Sequence, residues 1–551
     1  MLEPFDTHEV VNQSPPLEGH DVYSTDRVLV EAVEREGAQW AAAELSALGV
    51  LTGAPRTQEL ARLANEHRPE LHTHDRTGRR VDQVEYHPAY HELMATAIAH
   101  GLHAAPWADP RDGAHVARAA KVFVWYQGDA GHVCPVSMTY SVVPALRHQP
   151  DVAAEWEPRL SSTSYDPTDG PASTKTGAMC GMALTEKQGG SDVRANTTTA
   201  EPLDADGSTA VLTGHKWFCS APMSDGFLML AQAPGGLTCY WVPRWRPDGT
   251  KNPIHIQRLK DKLGDRSNAS SEIELAAVWA QRVGEEGRGV RTIIEMVNHT
   301  RLDCAIGSAS VMRQGVAQAS WHAAHRNAFG ALLADQPLMQ NVLADLALES
   351  EAATAAVLRL ARSYDRDDVE HEALLQRVLT PVVKYRTCKR APQHAAEALE
   401  CLGGNGFVEE SPMPRLFRQS PVNGVWEGSG NVICLDVLRA LAKSPRSLDA
   451  FWEEVNRAGG SDTRLDGAVR SLQNELAHPE SLEGQARRLV EEMALVFQAS
   501  LLVRHAPEAV ADSFCASRLA PDRGRAFGTL PRGTDVRAIV ERAAPWAAVP
   551  A

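Results

Sequence analysis

The chain has no apolar run near the roughly twenty residues that a membrane-spanning helix requires, so nothing in it is expected to cross a membrane. It lacks a basic start followed by an apolar stretch. Met1 to Ser14 is polar and acidic, unlike a secretory signal peptide. It lacks C-x-x-C pairs, and its nine cysteines are scattered without regular spacing, which points to reduced thiols in a cytoplasmic protein. It lacks an excess of positive charge. The formal net charge is −15, so the chain as a whole repels nucleic acid and anionic membranes, and contact with DNA needs a local basic patch. The P-loop, G-x-G-x-x-G and G-x-S-x-G patterns are absent. His322 and His325 can share a helix face, but no third ligand accompanies them, and no metal site is expected. There are no internal repeats.

What is present is a long, ordinary globular composition. The 551 residues suffice for three or four domains, and 43% hydrophobic with 23% charged residues is usual for such chains. Residues 1–25, with Ser14-Pro15-Pro16, read as an extended arm. From Asp26 the pattern is helical, with Val28, Val30, Val33, Trp40 and Leu45 recurring and Gly49 as the stop. Further helical stretches are Met94–Ala99, Gly113–Gly128 and Ser141–Leu146. A Ser/Thr/Pro/Asp/Gly-rich linker, 161–176, ends this helical domain, 26–176. Short runs such as Ala210–Thr213, Phe227–Leu230 and Leu237–Val242, separated by glycines, predict a small antiparallel β-domain over 177–287. Helix returns from Gly289, and 288–443 reads as a helical bundle. Pro445 then opens a helical C-terminal region, 444–551, with helix signals in Phe451–Val455, Ala468–Leu476 and Ala486–Leu502. The fold class is α+β, helix then sheet then helix.

Two loops carry the chemistry. Gly181-Met182-Ala183-Leu184-Thr185-Glu186-Lys187-Gln188-Gly189-Gly190-Ser191-Asp192 turns through two glycines and supplies two hydroxyls without charge. Glycines let backbone N–H groups approach a ligand, which suits a planar, anionic cofactor; a plain turn between strands would need the same glycines. Far downstream, Trp426-Glu427-Gly428-Ser429-Gly430-Asn431 places one carboxylate beside an aromatic ring and a Gly-Ser-Gly turn. A carboxylate in an apolar, water-poor pocket has a raised pKa and becomes a useful base. The plainer reading of Glu427 is a surface-loop glutamate.

Together these loops resemble the acyl-CoA dehydrogenase family. The first resembles its Thr-Glu-…-Gly-Ser-Asp flavin signature, and the second its aromatic-Glu-Gly motif. Met182–Thr198, His215-Lys216-Trp217-Phe218 and Val422–Arg439 resemble the adaptive-response branch, the AidB-type flavoproteins, over nearly the whole chain. The resemblance implies that family's fold with an added C-terminal helical domain, bound FAD as hydride acceptor, and Glu427 as catalytic base. It implies that Met182, Leu184 and Thr185 meet the flavin ring, that Gly190 and Ser191 serve the pyrophosphate, and that Trp217 and Phe218 pack at the ring. Where family members often read Trp-Ile-Thr, this chain reads Trp217-Phe218-Cys219-Ser220, so the hydroxyl beside flavin N5 passes to Ser220 or is lost. Arg326, Phe329, Gln336, Gly403 and Gly404 match the pattern that holds the adenine end across a subunit interface. Glu400 replaces the usual glutamine there and is not carried over. Trp426, Gly428, Ser429 and Asn431 complete the cofactor set, and Arg301 matches an arginine near the substrate entrance. The resemblance further implies a homotetramer built as a dimer of dimers. It also implies DNA binding in the response to alkylation damage, and weak dehydrogenation of an acyl-CoA such as isovaleryl-CoA. In the tail, Arg518, Arg523, Arg525 and Arg532 form the densest basic run and are the DNA candidates; solvated helix faces would look the same. The alternative is a fully active acyl-CoA dehydrogenase or another flavin oxidoreductase without DNA binding. A third reading is a flavin-bearing scaffold without turnover.

Overall fold

The computed structural model describes residues 7–478 and 482–546, which fall into two units. One comprises Arg56–Cys304 with Trp426–Gly428; the other comprises the N-terminal segment to Pro55, Ala305–Val425 and the chain from Ser429. Residues 1–6 of the expected arm and residues 547–551 of the tail lie outside the described residues.

In the first unit, Glu70–His74 (β1) and Arg80–Glu85 (β2) pair as an antiparallel hairpin. The helical expectation for 26–176 missed it. Its signal was present: Asp75 Oδ1 accepts from the backbone N–H of Thr77 and Arg79, and Gly78 takes φ +82°, the side-chain-supported turn that Asp and Gly favour. Helices Pro88–Ala99, Ala114–Tyr126, Val133–Leu146 and Pro150–Leu160 follow; they contain the stretches read at Met94–Ala99 and Ser141–Leu146, and the one read at Gly113–Gly128 overruns its helix by one residue at the start and two at the end.

Seven strands then form one sheet: Cys180–Ala183 (β3), Thr199–Pro202 (β4), Thr209–Ser220 (β5), Gly226–Ala233 (β6), Gly236–Pro243 (β7), Ile254–Leu259 (β8) and Ser270–Val283 (β9). The order is β3-β6-β4-β5-β9-β7, with β8 beside β9, and pairing of β6 with β7 closes the ring. The sheet is mixed, where a purely antiparallel one was expected. β3 and β6 run parallel, because the long connection Leu184–Asp225 carries the chain back to the same end, as a parallel pair requires. β6 is buried on both faces over Gly226–Ala231, whereas β5 alternates, so β6 reads as a continuous apolar run and β5 as a half-buried strand.

One core joins these helices to the sheet. Met138, Val142 and Leu146 of one helix, Trp156 of the next, and Leu228, Leu230 and Trp241 of the strands pack with Ile293 and Met296. The Trp156 and Trp241 rings meet edge to face at 4.7 Å. Burying one large apolar side chain contributes about 2 kcal/mol, so this core anchors the strand ends from which the candidate site is built.

The second unit is helical: Pro337–Asp365, Glu370–Cys401, Gly430–Lys443, Pro445–Asn456, Thr463–Leu476, Leu482–His505, Glu508–Arg518 and Val536–Ala543, with the part of Gly289–His325 from Ala305 on. Near its start, Arg27–Arg35 and Ala42–Gly53 are separate helices, and Gly49 lies inside the second. Gly49 is therefore not a stop. A Cβ there would fall 2.1 Å from Asp21 Oδ1 and 2.7 Å from the Tyr23 nitrogen, so the glycine admits the preceding chain. Buried ion pairs bind the tail to the bundle. Glu454, fully buried, takes Arg359 at 3.1 Å and Arg504 at 2.7 Å, and Arg518 pairs with Asp345 at 2.5 Å and Glu349 at 3.2 Å.

Candidate active site

Within the first unit, β3 runs out at Ala183 into a tight reversal. Glu186 and Gly189 exchange backbone hydrogen bonds at 3.2 and 3.0 Å. A Cβ on Gly190 would stand 2.4 Å from Thr185 Oγ1, so only glycine lets Ser191 follow this closely. Ser191 is exposed, while Met182, Leu184 and Thr185 are half-buried.

The loop is pinned from beneath by Glu186. Its carboxylate is buried and accepts from Thr197 N (2.6 Å), Thr198 Oγ1 (2.6 Å), Gln188 Nε2 (2.8 Å) and Lys216 Nζ (2.8 Å). Burial pushes this carboxyl up, but the bonds from Lys216, Thr198 and Thr197 outweigh it and hold the group far below the usual carboxylate range. Lys216, equally buried, also donates to the Leu230 carbonyl at 2.8 Å. Sequence reasoning quoted both residues within motifs and missed their pairing; a lysine on the inner face of an alternating strand was the available signal.

The next residue joins the two cofactor motifs. Trp217 N donates to the Thr185 carbonyl at 2.8 Å, and Lys187 N donates to His215 Nε2 at 3.0 Å. Trp217 is half-buried and Phe218 is 50% exposed, leaving aromatic surface at the loop. Lys260 Nζ lies 3.4 Å from the Trp217 ring centre and 4.6 Å from that of Phe218. Cys219 is fully buried, and Ser271 donates to its carbonyl at 3.0 Å. Burial pushes its thiol up to about 12. Ser220 is the half-exposed hydroxyl here, 3.2 Å from Ser270 Oγ.

Trp426, Glu427 and Gly428 belong to this same unit. Glu427 is half-buried and takes φ +59°, and Gly428 takes φ +107°. A non-glycine residue in the left-handed region stores about 1–3 kcal/mol and persists only when its surroundings over-determine it. One such determinant is Arg301, 5% exposed, whose Nε donates to the Glu427 carbonyl oxygen at 3.0 Å. Arg301, read from sequence as a substrate contact, holds the backbone of the candidate base.

Glu427, Ser220, the half-buried Lys262 and the buried Asp265 all act on the Cys134 thiol. Burial pushes this thiol up to about 12, Lys262 opposes, Asp265 and Glu427 add to the rise, and a hydrogen bond with Ser220 opposes it. Asp265 also has a left-handed backbone, φ +51°, is 4% exposed, and has no hydrogen-bond partner on either carboxylate oxygen. Burial raises it to about 7 against the pull of Lys262. Nothing in the sequence singled out Asp265.

The remaining expected residues lie in the second unit. Arg326 donates to the Asn12 carbonyl. Phe329 is fully exposed at φ +53° in the turn of a short hairpin, and Gln336 Nε2 donates to the Ala328 carbonyl at 3.1 Å. Gly403 has φ +58° and ψ −138°, and neither it nor Gly404 has a heavy atom within 4 Å of a placed Cβ, an open cradle that side chains would fill. Ser429 and Asn431 are exposed. In the tail, Arg518 is buried among its carboxylates and leaves the surface patch expected of it. Arg523 lies 3.8 Å from Glu492. Arg525 and Arg532 are exposed. Among the described residues no cluster of three or more metal-ligating side chains occurs, and no helix is long and apolar enough to cross a membrane.

Three family models match in succession: the adaptive response protein AidB N-terminal domain over residues 12–167, the acyl-CoA dehydrogenase middle domain over 181–278 and the acyl-CoA dehydrogenase C-terminal domain over 287–442. The chain is 45% identical to AidB of Escherichia coli, over 93% of this chain and 94% of that protein. Its fold superposes on Caenorhabditis elegans ACDH-11 in complex with C11-CoA with a TM-score of 0.85 at 27% identity, covering 93% and 94% of the two chains. An acyl-CoA dehydrogenase of Bacillus anthracis complexed with FAD superposes with a TM-score of 0.62 over 78% of this chain and 80% of that one; at 19% identity this speaks for the fold.

Proposed function

The chain belongs to the acyl-CoA dehydrogenase family as an AidB-type member, and from that premise we propose that it holds FAD and oxidises the α,β bond of an acyl thioester with Glu427 as base. The observation that carries this reading is the strained backbone of Glu427, fixed by Arg301, in the same unit as the Thr185 and Trp217 loops. The residues present fit the cofactor. Gly189-Gly190-Ser191 offers an open backbone and a hydroxyl, Phe218 offers exposed aromatic surface beside the half-buried Trp217, and Gly403-Gly404 offers a cradle without side chains. When bound, FAD supplies the hydride acceptor that no side chain provides.

The protein's own residues do the rest. Met182, Leu184 and Thr185 would line the ring, and Gly190 and Ser191 would hold the pyrophosphate. Ser220, and not the buried Cys219, would supply the hydroxyl to the bound flavin. The Glu427 carboxylate removes the α-proton, and Trp426 and Gly428 hold it between an aromatic wall and a flexible turn. Arg326, Phe329, Gln336, Gly403 and Gly404 would serve the adenine end, by the family pattern in a neighbouring subunit of a dimer of dimers, and Ser429 and Asn431 would complete the cofactor set.

AidB likeness extends the proposal to the alkylation-damage response and to double-stranded DNA. Arg523, Arg525 and Arg532 are exposed cations of the tail that support it, in a chain whose overall charge of −15 works against it. The test of the catalytic reading is Glu427→Gln. Dehydrogenation of isovaleryl-CoA should fall by about 10²–10⁴-fold with bound flavin retained; unchanged turnover would remove Glu427 from the chemistry.

A further inference from the structure

A cavity of about 290 Å³ opens in the first unit between the β1–β2 hairpin, the helix Pro88–Ala99, the loop at Tyr165–Thr168 and the turn Ala221–Asp225. Its walls are unusual in two ways. Four aromatic rings meet there: Tyr86 stacks on Tyr90 at 4.3 Å, His91 stands edge-on to both at 6.0 and 5.6 Å, and Tyr165 lies 5.9 Å from His91. The charges lining it are Glu85, Asp166 and Asp225 against Lys175 alone.

That single cation is committed. Lys175 Nζ lies 2.7 Å from Asp225 Oδ1, and both side chains are buried. Arg244, which donates to the Met223 sulfur in the wall, pairs with Asp169 at 2.7 Å. His91 bonds the Tyr165 hydroxyl at 2.9 Å, and burial lowers its pKa, which disfavours the charged imidazolium. Asp166 is ionised. Burial pushes its pKa up, but bonds from Thr168 and Thr176 hold it below the usual range. Glu85 is exposed at the rim, 3.1 Å from His72. Ring faces carry negative potential and attract cations, and the surplus carboxylates add to that field. A volume of 150 Å³ takes a benzene ring, so this one takes a larger group.

We propose that this cavity is a binding site for an organic cation, a quaternary or protonated amine with apolar substituents, held by the aromatic rings and the acidic rim. The proposal goes beyond the flavin reaction and does not need it. Pro135 and Ala221 in its wall adjoin Cys134 and Ser220 in sequence, which puts the cation beside the candidate active site.

The experiment is calorimetric titration of the full chain with three probes that share a benzyl group: benzyltrimethylammonium, its neutral isostere neopentylbenzene, and 3-phenylpropanoate. None carries a thioester, so the outcome is independent of whether FAD binds. The cation should bind about tenfold or more tightly than the neutral isostere, and the carboxylate should not bind. Tyr90→Leu and Glu85→Gln should each weaken the cation, while Arg258→Gln, on a surface strand, should not. Because Tyr90 is buried, Glu85→Gln supplies the variant that leaves the fold intact. Equal or tighter binding of neopentylbenzene, or cation binding indifferent to both wall variants, overturns the proposal.

Discussion

Arg301 Nε donates a 3.0 Å hydrogen bond to the carbonyl oxygen of Glu427, across 126 positions of sequence. The bond fixes the backbone of the candidate base at its carbonyl oxygen. Arg301→Ala should therefore lower kcat by about 10²-fold, the scale of a misplacement near 1 Å, with bound flavin unchanged. Arg301→Lys should recover little, since an ammonium does not reproduce the guanidinium's fixed fork. Steady-state kinetics beside the visible spectrum separate this from a loss of folding.

The Glu186–Lys216 pair is a second positioning device, beneath the loop rather than beside the base. Removing one partner of a buried pair leaves an unanswered charge and costs about 3–5 kcal/mol. Lys216→Met should lose that much in chemical denaturation and release flavin, and adding Glu186→Gln should recover part of the loss.

Asp265 gives stability a pH dependence of definite sign. Its folded pKa, about 7, lies above its ordinary value of 3.8, because burial disfavours the charge. The fold therefore prefers the protonated form. This contribution is fully present below pH 3.8 and is lost as pH rises through about 7, by at most about 4 kcal/mol. Asp265→Asn should flatten the difference between urea midpoints measured at pH 5 and pH 8; an unchanged difference would assign it to other groups.

Gly190→Ala should displace Thr185, whose Oγ1 would lie 2.4 Å from the new methyl group. The expected result is flavin release with little change in far-UV circular dichroism. Gly403→Ala should cost about 1–3 kcal/mol, because φ +58° with ψ −138° is glycine territory.

For DNA, a gel-shift series at rising salt should show binding that weakens with salt. Arg525→Ala and Arg532→Ala should each reduce the salt slope by about one. Arg518→Ala should instead destabilise the protein, since it strips a buried guanidinium from Asp345 and Glu349. No shift at low salt would remove DNA from the proposed function.

The sequence made the architecture legible because its periods are clean. The apolar stripe before His325 and the alternation around Val211 each name their element. It missed the Glu70–Glu85 hairpin because only Leu71, Val81 and Val84 are apolar there and they show no alternation, and it misjudged Gly49 because a packing glycine and a terminal glycine look alike in one chain. At the site, loops with special backbone needs, Gly189-Gly190 and Glu427-Gly428, were visible as motifs. Arg301's task was not, since a hydrogen bond to a distant carbonyl leaves no local pattern. Arg518 looked like its neighbours in a basic run, and only its buried carboxylate partners, far away in sequence, separate it from them.

The central claim, a flavin site with Glu427 as its base, is tested most directly by anaerobic titration of the purified protein with isovaleryl-CoA under visible absorption, beside its Glu427→Gln variant. The account predicts oxidised flavin bands in both proteins, bleaching in the parent and none in the variant. A protein without flavin bands, or a variant that bleaches as fast as the parent, would contradict it.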